Sequence, residues 1–369
     1  MRWKRCFSIS MLIVGTVIGA GFASGAEIVS FFGRVGISPF NALLCLPLIA
    51  GGCILFLSIG SRFKIRDVGA LHKLTCGKIA RVCDGFVLLN ALIVTAGMLA
   101  AFDSVSKSLF GFPMLSIPLG ILAAVVVAKG IGGVIKVNTV VLPAVIAALI
   151  AVCAKSLTPS LFECALFGVK PISAAVYTSM NLVLAAGALT SVHDLKPSET
   201  VASSLIATGI IGALMTFVIL ALNSSGKFYS ELPTLEMAKD IHPILYYGML
   251  VSMSVSVFTT LLTAMNCLTD YAQSITKGRV KAAFAVLTVG LLLSALGFER
   301  VVGALYPIIG GLGAAYVALH LIFAVRMRIK AKRDAKLSFG SNLLFDKRDS
   351  EIHKRGKHAE NNRRRHNKV

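Results

Sequence analysis

The residues with the most distinctive chemistry lie in a glycine-rich stretch near the N-terminus, which reads VGTVIGAGFASGAEIVSFFG from Val14 to Gly33. Gly19, Gly21 and Gly25 fall in the middle of this otherwise apolar run. Each glycine disfavours a helix interior by about 1 kcal/mol relative to alanine, so together they weaken one short part of the helix. The stretch therefore predicts a membrane helix that stops and restarts near its middle.

A second helix start is indicated by Ser24 and Glu27, which fit the S-x-x-E capping box, in which each side chain satisfies a free backbone amide. A helix N-terminus also gives Glu27 a reason to lie deep in a membrane. A discontinuous helix exposes amides that bind anions and carbonyls that bind cations. The alternative is close packing through small residues such as Gly15 and Gly19, but packing gives Ser24 and Glu27 no role. The predicted substrate-binding residues here are Gly19, Ala20, Gly21, Phe22 and Ser24, and Glu27 is the candidate for ion coupling.

Polar side chains form a stripe along residues 244–267. They recur at steps of three and four residues, on one face of a helix, and they are Ser252, Ser256, Thr259, Thr263 and Asn266, with Thr260 adjoining. Lipid offers no hydrogen bonds, so the stripe faces protein or a water-filled cavity; alternatively, its hydroxyls bond back to their own helix. In residues 173–191, Tyr177, Ser179 and Asn181 either line a substrate cavity or bond to neighbouring helices.

These residues need a membrane to position them. The chain has 369 residues, of which 56% are hydrophobic and 15% are charged, whereas a typical soluble domain has about 25% charged residues. A bilayer core takes about 20 mostly apolar residues per helix. The prediction is an all-α polytopic membrane protein with ten transmembrane helices, near 6–32, 39–60, 85–105, 113–128, 137–154, 173–191, 200–222, 244–267, 282–297 and 302–325.

Basic residues predict which way round the protein sits. With the N-terminus inside, 30 of the 37 lysines and arginines fall on the cytoplasmic side, as the positive-inside rule expects. The expected location is the cell membrane. Because the number of spans is even, both termini are then in the cytoplasm. Residues 326–369 form a basic tail, which is predicted to be disordered and attracted to anionic lipid head groups. No nucleic-acid partner is expected, and the oligomeric state stays open.

Two connecting segments also carry predictions. Residues 231–240 predict a short external helix with Pro233 in its first turn, lying either over the entrance as a lid or on the surface. Between the second and third spans, His72, Cys76 and Cys83 are of metal-ligating types, but two thiols and one imidazole on an amphipathic connector are more often packing residues.

The run Ile18-Gly19-Ala20-Gly21-Phe22 resembles the first-helix signature of the amino acid-polyamine-organocation transporters. The longer run GAGFASGAEIVSFFGRVG is similar to the YkvI-type membrane proteins of that superfamily, and the similarity extends through Glu231-Leu232-Pro233 to Phe258-Thr259-Thr260. The resemblance implies the LeuT fold, an inverted repeat of five plus five helices. The two repeats would cover about 6–154 and 173–325, within a transporter domain of residues 1–325.

Further expectations follow from the same resemblance. The first and sixth helices are both expected to be discontinuous, and in the sixth the small residues 185–188 lie where a break is needed. In several sodium-coupled LeuT-fold transporters, a pair of hydroxyls on the eighth helix binds sodium together with backbone carbonyls of the first helix. Thr259 and Thr260 match that pair, and the carbonyls would be those near Ile18 and Gly21. Sodium would therefore act as the coupling ion, and no other cofactor is expected.

The predicted function is secondary active transport by alternating access, coupled to sodium, of an amino acid or similar small carboxylate-bearing solute. Two alternatives stay open: proton coupling through Glu27, and a membrane sensor or scaffold that binds a ligand without moving it. An enzyme is not expected, because the sequence offers no nucleophile with its base at membrane depth and no Walker or His-Glu-x-x-His motif. The expected partners are a small-molecule substrate and the lipid bilayer.

Overall fold

The computed structural model describes residues 2–33, 36–65, 67–129, 134–157, 168–331 and 333, and the part it describes is helical without a strand. The first helices are α1 (Trp3–Val17), α2 (Ala20–Ala23), α3 (Ala26–Phe32), α4 (Phe40–Phe63), α5 (Val68–Cys76), α6 (Ala80–Phe110), α7 (Ser116–Ala128) and α8 (Val134–Ser156). They are followed by α9 (Pro171–Thr190), α10 (Pro197–Ser225), α11 (Pro233–Ile241), α12 (Pro243–Thr276), α13 (Arg279–Ser294) and α14 (Phe298–Arg300). A π-helical turn at Val301–Leu305 then leads into α15, residues 306–331.

All ten predicted spans fall on these helices, and the prediction of an all-α polytopic membrane protein is confirmed. Six described helices are long and apolar enough to cross a bilayer: Phe40–Phe63, Val68–Phe110, Pro171–Thr190, Pro197–Ser225, Pro243–Gln273 and Phe298–Ala331. Shorter apolar helices at Ser116–Ala128 and Leu142–Ser156 account for the fourth and fifth spans. The first span is divided among α1, α2 and α3.

The sixth span does not break, so the predicted interruption of that helix is wrong. α9 runs without a gap from Pro171 to Thr190 and passes straight through residues 185–188. Three of those four residues are alanine, the best helix former, and the single Gly187 costs only about 1 kcal/mol. Local propensity therefore keeps this helix whole.

The compact unit Met1–Leu319 contains all the packing that positions the site. Within it, α12 packs against α6, α8 and α13, while α4 packs against α9 and α10. α1 packs against α10, α3 against α9, and α2 against α12. The start of α15 lies against α9 closely enough that a Cβ added at Gly310 would be 2.5 Å from the carbonyl oxygen of Val176.

The second unit comprises His320–Val369. Its described part is the last stretch of α15, residues 320–331, together with residue 333. Most of the predicted basic tail, residues 326–369, lies outside the described residues.

Candidate functional site

The first span is interrupted at Ile18 and Gly19. α1 ends at Val17, Ile18 adopts φ −85° and ψ 74°, and Gly19 is extended before α2 begins at Ala20. The last carbonyls of α1 and the first amides of α2 therefore lack the partners that a continuous helix would give them. Because Val17, Ile18 and Ala20 are all buried, these polar groups lie inside the protein, and the predicted interruption of the first helix is confirmed.

A second interruption separates α2 from α3 at Gly25, and its geometry differs from the predicted capping box. Gly25 is the N-cap of α3 and has φ +77°, a conformation that favours glycine. The Ser24 hydroxyl donates to the carbonyl of Gly21 at 3.0 Å and accepts from the amide of Ala26 at 3.3 Å. The predicted cap by Ser24 and Glu27 is therefore wrong, because the serine bonds two residues ahead rather than three.

The Glu27 side chain turns back onto α2 instead of capping α3. A Cβ added at Gly21 would overlap the Glu27 carboxylate, so this glycine makes the room that the carboxylate occupies. Glu27 is 6% exposed, and among the described residues its Oε2 has no hydrogen-bond partner. The carboxylate thus reaches across the second interruption and lies against the α2 turn.

Tyr177 on α9 faces the same region and is completely buried. Its ring lies edge-on to Phe31 and Phe32 of α3, with centroid distances of 5.3 Å and 5.8 Å. In the described part of the chain, the Tyr177 hydroxyl also lacks a hydrogen-bond partner. Two unpaired buried polar atoms, one on Glu27 and one on Tyr177, therefore lie on neighbouring helices.

Asn181, one turn further along α9, bonds to its own helix. Its Nδ2 donates to the backbone carbonyl of Tyr177 at 3.0 Å, and the residue is buried. This hydrogen bond stays within α9. Because it does not test a contact with substrate, that role for Asn181 stays a prediction.

The α12 hydroxyls lie next to the first interruption. A Cβ added at Gly19 would be 3.5 Å from the Oγ1 of Thr260. Thr259 and Thr260 each donate a hydrogen bond to the carbonyl of Ser256 at 3.0 Å. Donation uses the hydroxyl hydrogen and leaves oxygen lone pairs available, so bonding back to the helix is compatible with binding a cation.

The predicted external helix forms as α11, and it is not a solvated surface helix. Leu235, Met237 and Ala238 are buried. Thr234 donates its hydroxyl to the carbonyl of Ala23 at 2.6 Å and its amide to the carbonyl of Ser24 at 3.0 Å. α11 therefore covers the second interruption and satisfies two of the carbonyls that the broken helix leaves free.

A small cavity lies beside the α3 end of this region. Its volume is about 50 Å³, and it is lined by Ala26, Val29, Ser30, Phe228, Tyr229, Ser230, Glu231, Glu299, Val302 and Gly303. One water takes about 30 Å³ of liquid, so the cavity is too small for an amino acid. Because α11 covers the second interruption, we expect it to move when a solute binds at the first helix.

Two polar networks were not foreseen from the sequence. The imidazole of His72 is fully buried, with Nδ1 2.6 Å from Asp84 Oδ1 and Nε2 2.8 Å from the hydroxyl of Tyr316. Among described residues, no group of three His, Cys, Asp or Glu side chains has the geometry of a metal site. At the start of the chain, Arg2 donates to both carboxylate oxygens of Glu199, at 2.9 Å and 2.8 Å. This pair ties the beginning of α1 to the beginning of α10.

Sequence comparison finds relatives along most of the chain. No family model matches. The chain is 27% identical over 338 residues to the uncharacterized membrane protein YkvI of Bacillus subtilis (strain 168), covering 85% of this chain and 94% of YkvI. It is 21% identical over 345 residues to the uncharacterized protein YyaD of the same organism, covering 89% of this chain and 100% of YyaD. The similarity to YkvI-type proteins is confirmed.

Structure comparison shows the fold. MhsT in complex with L-phenylalanine matches with a TM-score of 0.64 and 17% identity, over 84% of this chain and 87% of MhsT. Mhp1 in its inward-facing conformation matches with a TM-score of 0.57 and 15% identity, over 86% of this chain and 75% of Mhp1. Closed Mhp1, a nucleobase-cation-symport-1 family transporter with bromovinylhydantoin bound, has a TM-score of 0.55. The chain has the LeuT fold of these transporters.

Proposed function

We propose that this chain is a secondary active transporter that moves an amino acid, or a similar small carboxylate-bearing solute, by alternating access and coupled to sodium. The observation that carries the proposal is the interruption at Ile18 and Gly19, buried and placed against the hydroxyl of Thr260. Non-helical backbone at membrane depth is tolerated only where it is buried in protein or lines a cavity. Secondary transporters bind their substrates at such interruptions of a membrane helix.

The proposed solute site is the α2 turn and the face of α9 near it. Free amides at the start of α2 would hold the carboxylate of the solute, and Phe22 would contact its side chain. The residues proposed to bind substrate are Gly19, Ala20, Gly21, Phe22, Ser24, Tyr177 and Asn181. The fold match to MhsT, which was solved with L-phenylalanine, supports an amino acid as the first solute to try.

The proposed sodium site lies on the other side of the same turn. Thr259 and Thr260 would offer hydroxyl oxygens, and carbonyls near Ile18 and Gly21 would complete an all-oxygen set suited to a hard cation. The Gly21 carbonyl already accepts from Ser24, but a carbonyl oxygen has two lone pairs. Solute and ion would then share one backbone segment, so that binding of either favours the conformation that binds the other.

The proposed placement is in the cell membrane with both termini in the cytoplasm, because this orientation puts most lysines and arginines inside. The basic tail, residues 326–369, would bind anionic lipid head groups at the cytoplasmic surface.

The test is uptake of labelled amino acids by proteoliposomes that contain the purified chain, with and without an inward sodium gradient. We expect uptake of at least one amino acid to depend on the gradient. Alanine at both Thr259 and Thr260 should abolish the sodium dependence, because two ligand oxygens are lost. Thr288→Ala is the matched control, since Thr288 makes the same helix-internal bond on an exposed face of α13.

A second variant separates binding from transport. Gly21→Leu places a side chain where the Glu27 carboxylate lies, whereas Gly248→Leu on α12 meets nothing within 4 Å. We expect the first to lose amino-acid binding and the second to keep it. If amino acids bind but never cross under any gradient, transport is wrong and a ligand-binding sensor or scaffold takes its place.

A further inference from the structure

Cys76 and Cys83 are two free thiols that contact each other at one corner of the fold. Cys76 is the last residue of α5, and Cys83 lies in the first turn of α6. Their side chains are hydrogen-bonded to each other. Cys83 is only 5% exposed, whereas Cys76 is half-buried. The pair therefore combines one thiol that solvent reaches with a second thiol sheltered behind it.

A neighbouring contact through His72 holds the two thiols together. His72 lies one turn before Cys76 on α5, so both side chains are on the same face of that helix. The His72 ring is 2.6 Å from the carboxylate of Asp84, which is the residue after Cys83 on α6. α5 and α6 also pack against each other. The approach of the thiols therefore does not depend on a bond between them.

A metal site does not explain the pair. A structural zinc takes four ligands, drawn mostly from Cys and His, and among the described residues no group of three His, Cys, Asp or Glu side chains could hold a metal ion. Both ring nitrogens of His72 are already in contact, with Asp84 and with the hydroxyl of Tyr316. Two adjacent thiols can instead be oxidised to a disulfide by thiol–disulfide exchange.

The surface around Cys76 is basic. Three basic side chains are exposed there: Lys73, Lys78 and Arg81. The nearby acidic side chains are already engaged, because Asp67 caps the start of α5 and Asp84 contacts His72. A positive surface raises the local concentration of anions, so an anionic low-molecular-weight disulfide fits as the oxidant. This corner lies on the side predicted to be cytoplasmic, where disulfides are rare and usually transient or redox-sensing.

We propose that Cys76 and Cys83 are a redox-active pair, which an anionic low-molecular-weight disulfide converts to a disulfide bond that fixes the end of α5 to α6. The Cys76 thiolate attacks one sulfur of the oxidant, the other sulfur departs as a thiolate, and a mixed disulfide remains on Cys76. The Cys83 thiolate then attacks the Cys76 sulfur and releases the second small thiolate. The two protein thiols lose two electrons and two protons, and the oxidant gains them as two small thiols.

The bond matters because α5 connects three other helices. His72 contacts Asp84 of α6 and, at 2.8 Å, the Tyr316 hydroxyl of α15. At the other end of α5, a Cβ added at Gly187 of α9 would be 2.8 Å from the Cγ2 of Val68. A bond that fixes α5 therefore restricts movement among α6, α9 and α15. This inference does not rest on the proposed transport activity.

The first test maps the disulfide in the purified, detergent-solubilised full chain. The chain is equilibrated with mixtures of reduced and oxidised glutathione, its remaining thiols are alkylated, and tryptic peptides are identified by mass spectrometry. Because Lys78 and Arg81 separate the two cysteines, the disulfide should appear as residues 74–78 linked to the peptide that begins at residue 82. Cys267 on α12 is half-buried like Cys76 and should stay alkylated. If the linked peptide is missing at every ratio, the proposal is overturned.

Two single variants assign the roles of the cysteines. In Cys83→Ser, Cys76 should accumulate as a mixed disulfide with glutathione, because no second thiol displaces it. In Cys76→Ser, the buried Cys83 should stay free. Equal modification of the two variants, or a mixed disulfide that persists on wild-type Cys76 beside a free Cys83, overturns the pairing. Dithiothreitol should restore both wild-type thiols, because a disulfide is reversible whereas sulfinic and sulfonic acids are not.

A second measurement tests whether the bond fixes α5. Hydrogen–deuterium exchange of peptides from α5 should slow by about tenfold or more on oxidation, because a cross-link restricts the opened chain, and it should recover after reduction. Exchange over α11 in the same samples is the control and should not change, and Cys83→Ser should show no slowing over α5. If the linked peptide forms while exchange over α5 stays the same, the bond does not fix the helix and the proposal is overturned.

Discussion

Thr234 is the point at which α11 holds the interrupted first helix, and its replacement by valine tests that contact. The residue is fully buried, and its hydroxyl donates to the carbonyl of Ala23 at 2.6 Å. Valine keeps the shape of threonine and loses only the donor. The backbone bond from the Thr234 amide to Ser24 remains available to the variant, so the change removes one hydrogen bond and leaves one buried carbonyl unpaired.

The size of the effect follows from that unpaired carbonyl. A buried acceptor that loses its partner costs about 1–3 kcal/mol. If α11 must leave α2 for the site to open, the same free energy shifts the closed-to-open equilibrium about 5- to 150-fold toward the open form. The Thr234 amide can exchange with solvent only when α11 has left, so its exchange rate should rise by the same factor.

The assay is hydrogen–deuterium exchange, followed by mass spectrometry of peptides that cover α11, in wild type and Thr234→Val. Thr288→Val is the control, because it removes a similar hydroxyl bond from an exposed position on α13. If exchange over α11 in Thr234→Val stays within a factor of two of both wild type and the control, the contact does not hold α11 closed. The same result would refute the argument that the site opens by moving this helix.

Other predictions concern helix contacts, the buried polar network and the tail. Gly310→Ala should destabilise the protein by about 1–3 kcal/mol, because the added Cβ meets a backbone carbonyl of α9, whereas Gly311→Ala, with nothing within 4 Å, should stabilise it by up to about 1 kcal/mol; thermal unfolding in detergent compares the two. Tyr316→Phe should cost about 0.5–1.5 kcal/mol by removing its hydrogen bond to His72, and the loss should vanish when His72 is already phenylalanine. Removal of residues 334–369 should weaken adhesion to anionic vesicles at low salt only, as co-sedimentation at two salt concentrations would show.

Features set by neighbouring residues could be predicted from the sequence. The interruption of the first helix follows from glycines a few positions apart, and α11 begins where Pro233 predicts a first turn. The expected break in the sixth helix came from resemblance against a weak local signal, and α9 followed its local propensity. Where resemblance and helix propensity disagreed, propensity was the better guide in this chain.

Contacts between distant residues had no comparable signal. The bond between His72 and Tyr316 joins positions 244 residues apart, and that between Thr234 and Ala23 joins positions 211 apart. Both stretches carried predictions of their own, a connector of metal-ligating types around His72 and a short external helix around Thr234, but only the packing of helices shows which residue each side chain contacts. Such pairs depend on tertiary geometry, which periodicity and capping patterns do not encode.

The two glycines of the signature also turn out to have different physical roles. Gly19 has an extended backbone that any residue adopts, and a Cβ there would make only an ordinary contact with Thr260. Gly21, in contrast, lies in the α2 turn and leaves the space that the Glu27 carboxylate occupies. The sequence predicts a cap that pairs Ser24 with Glu27, yet the glutamate reaches back six residues to Gly21, in the turn proposed to bind the solute. Glu27 and the proposed solute site therefore share the α2 turn, so a substitution at Glu27 is expected to alter solute affinity.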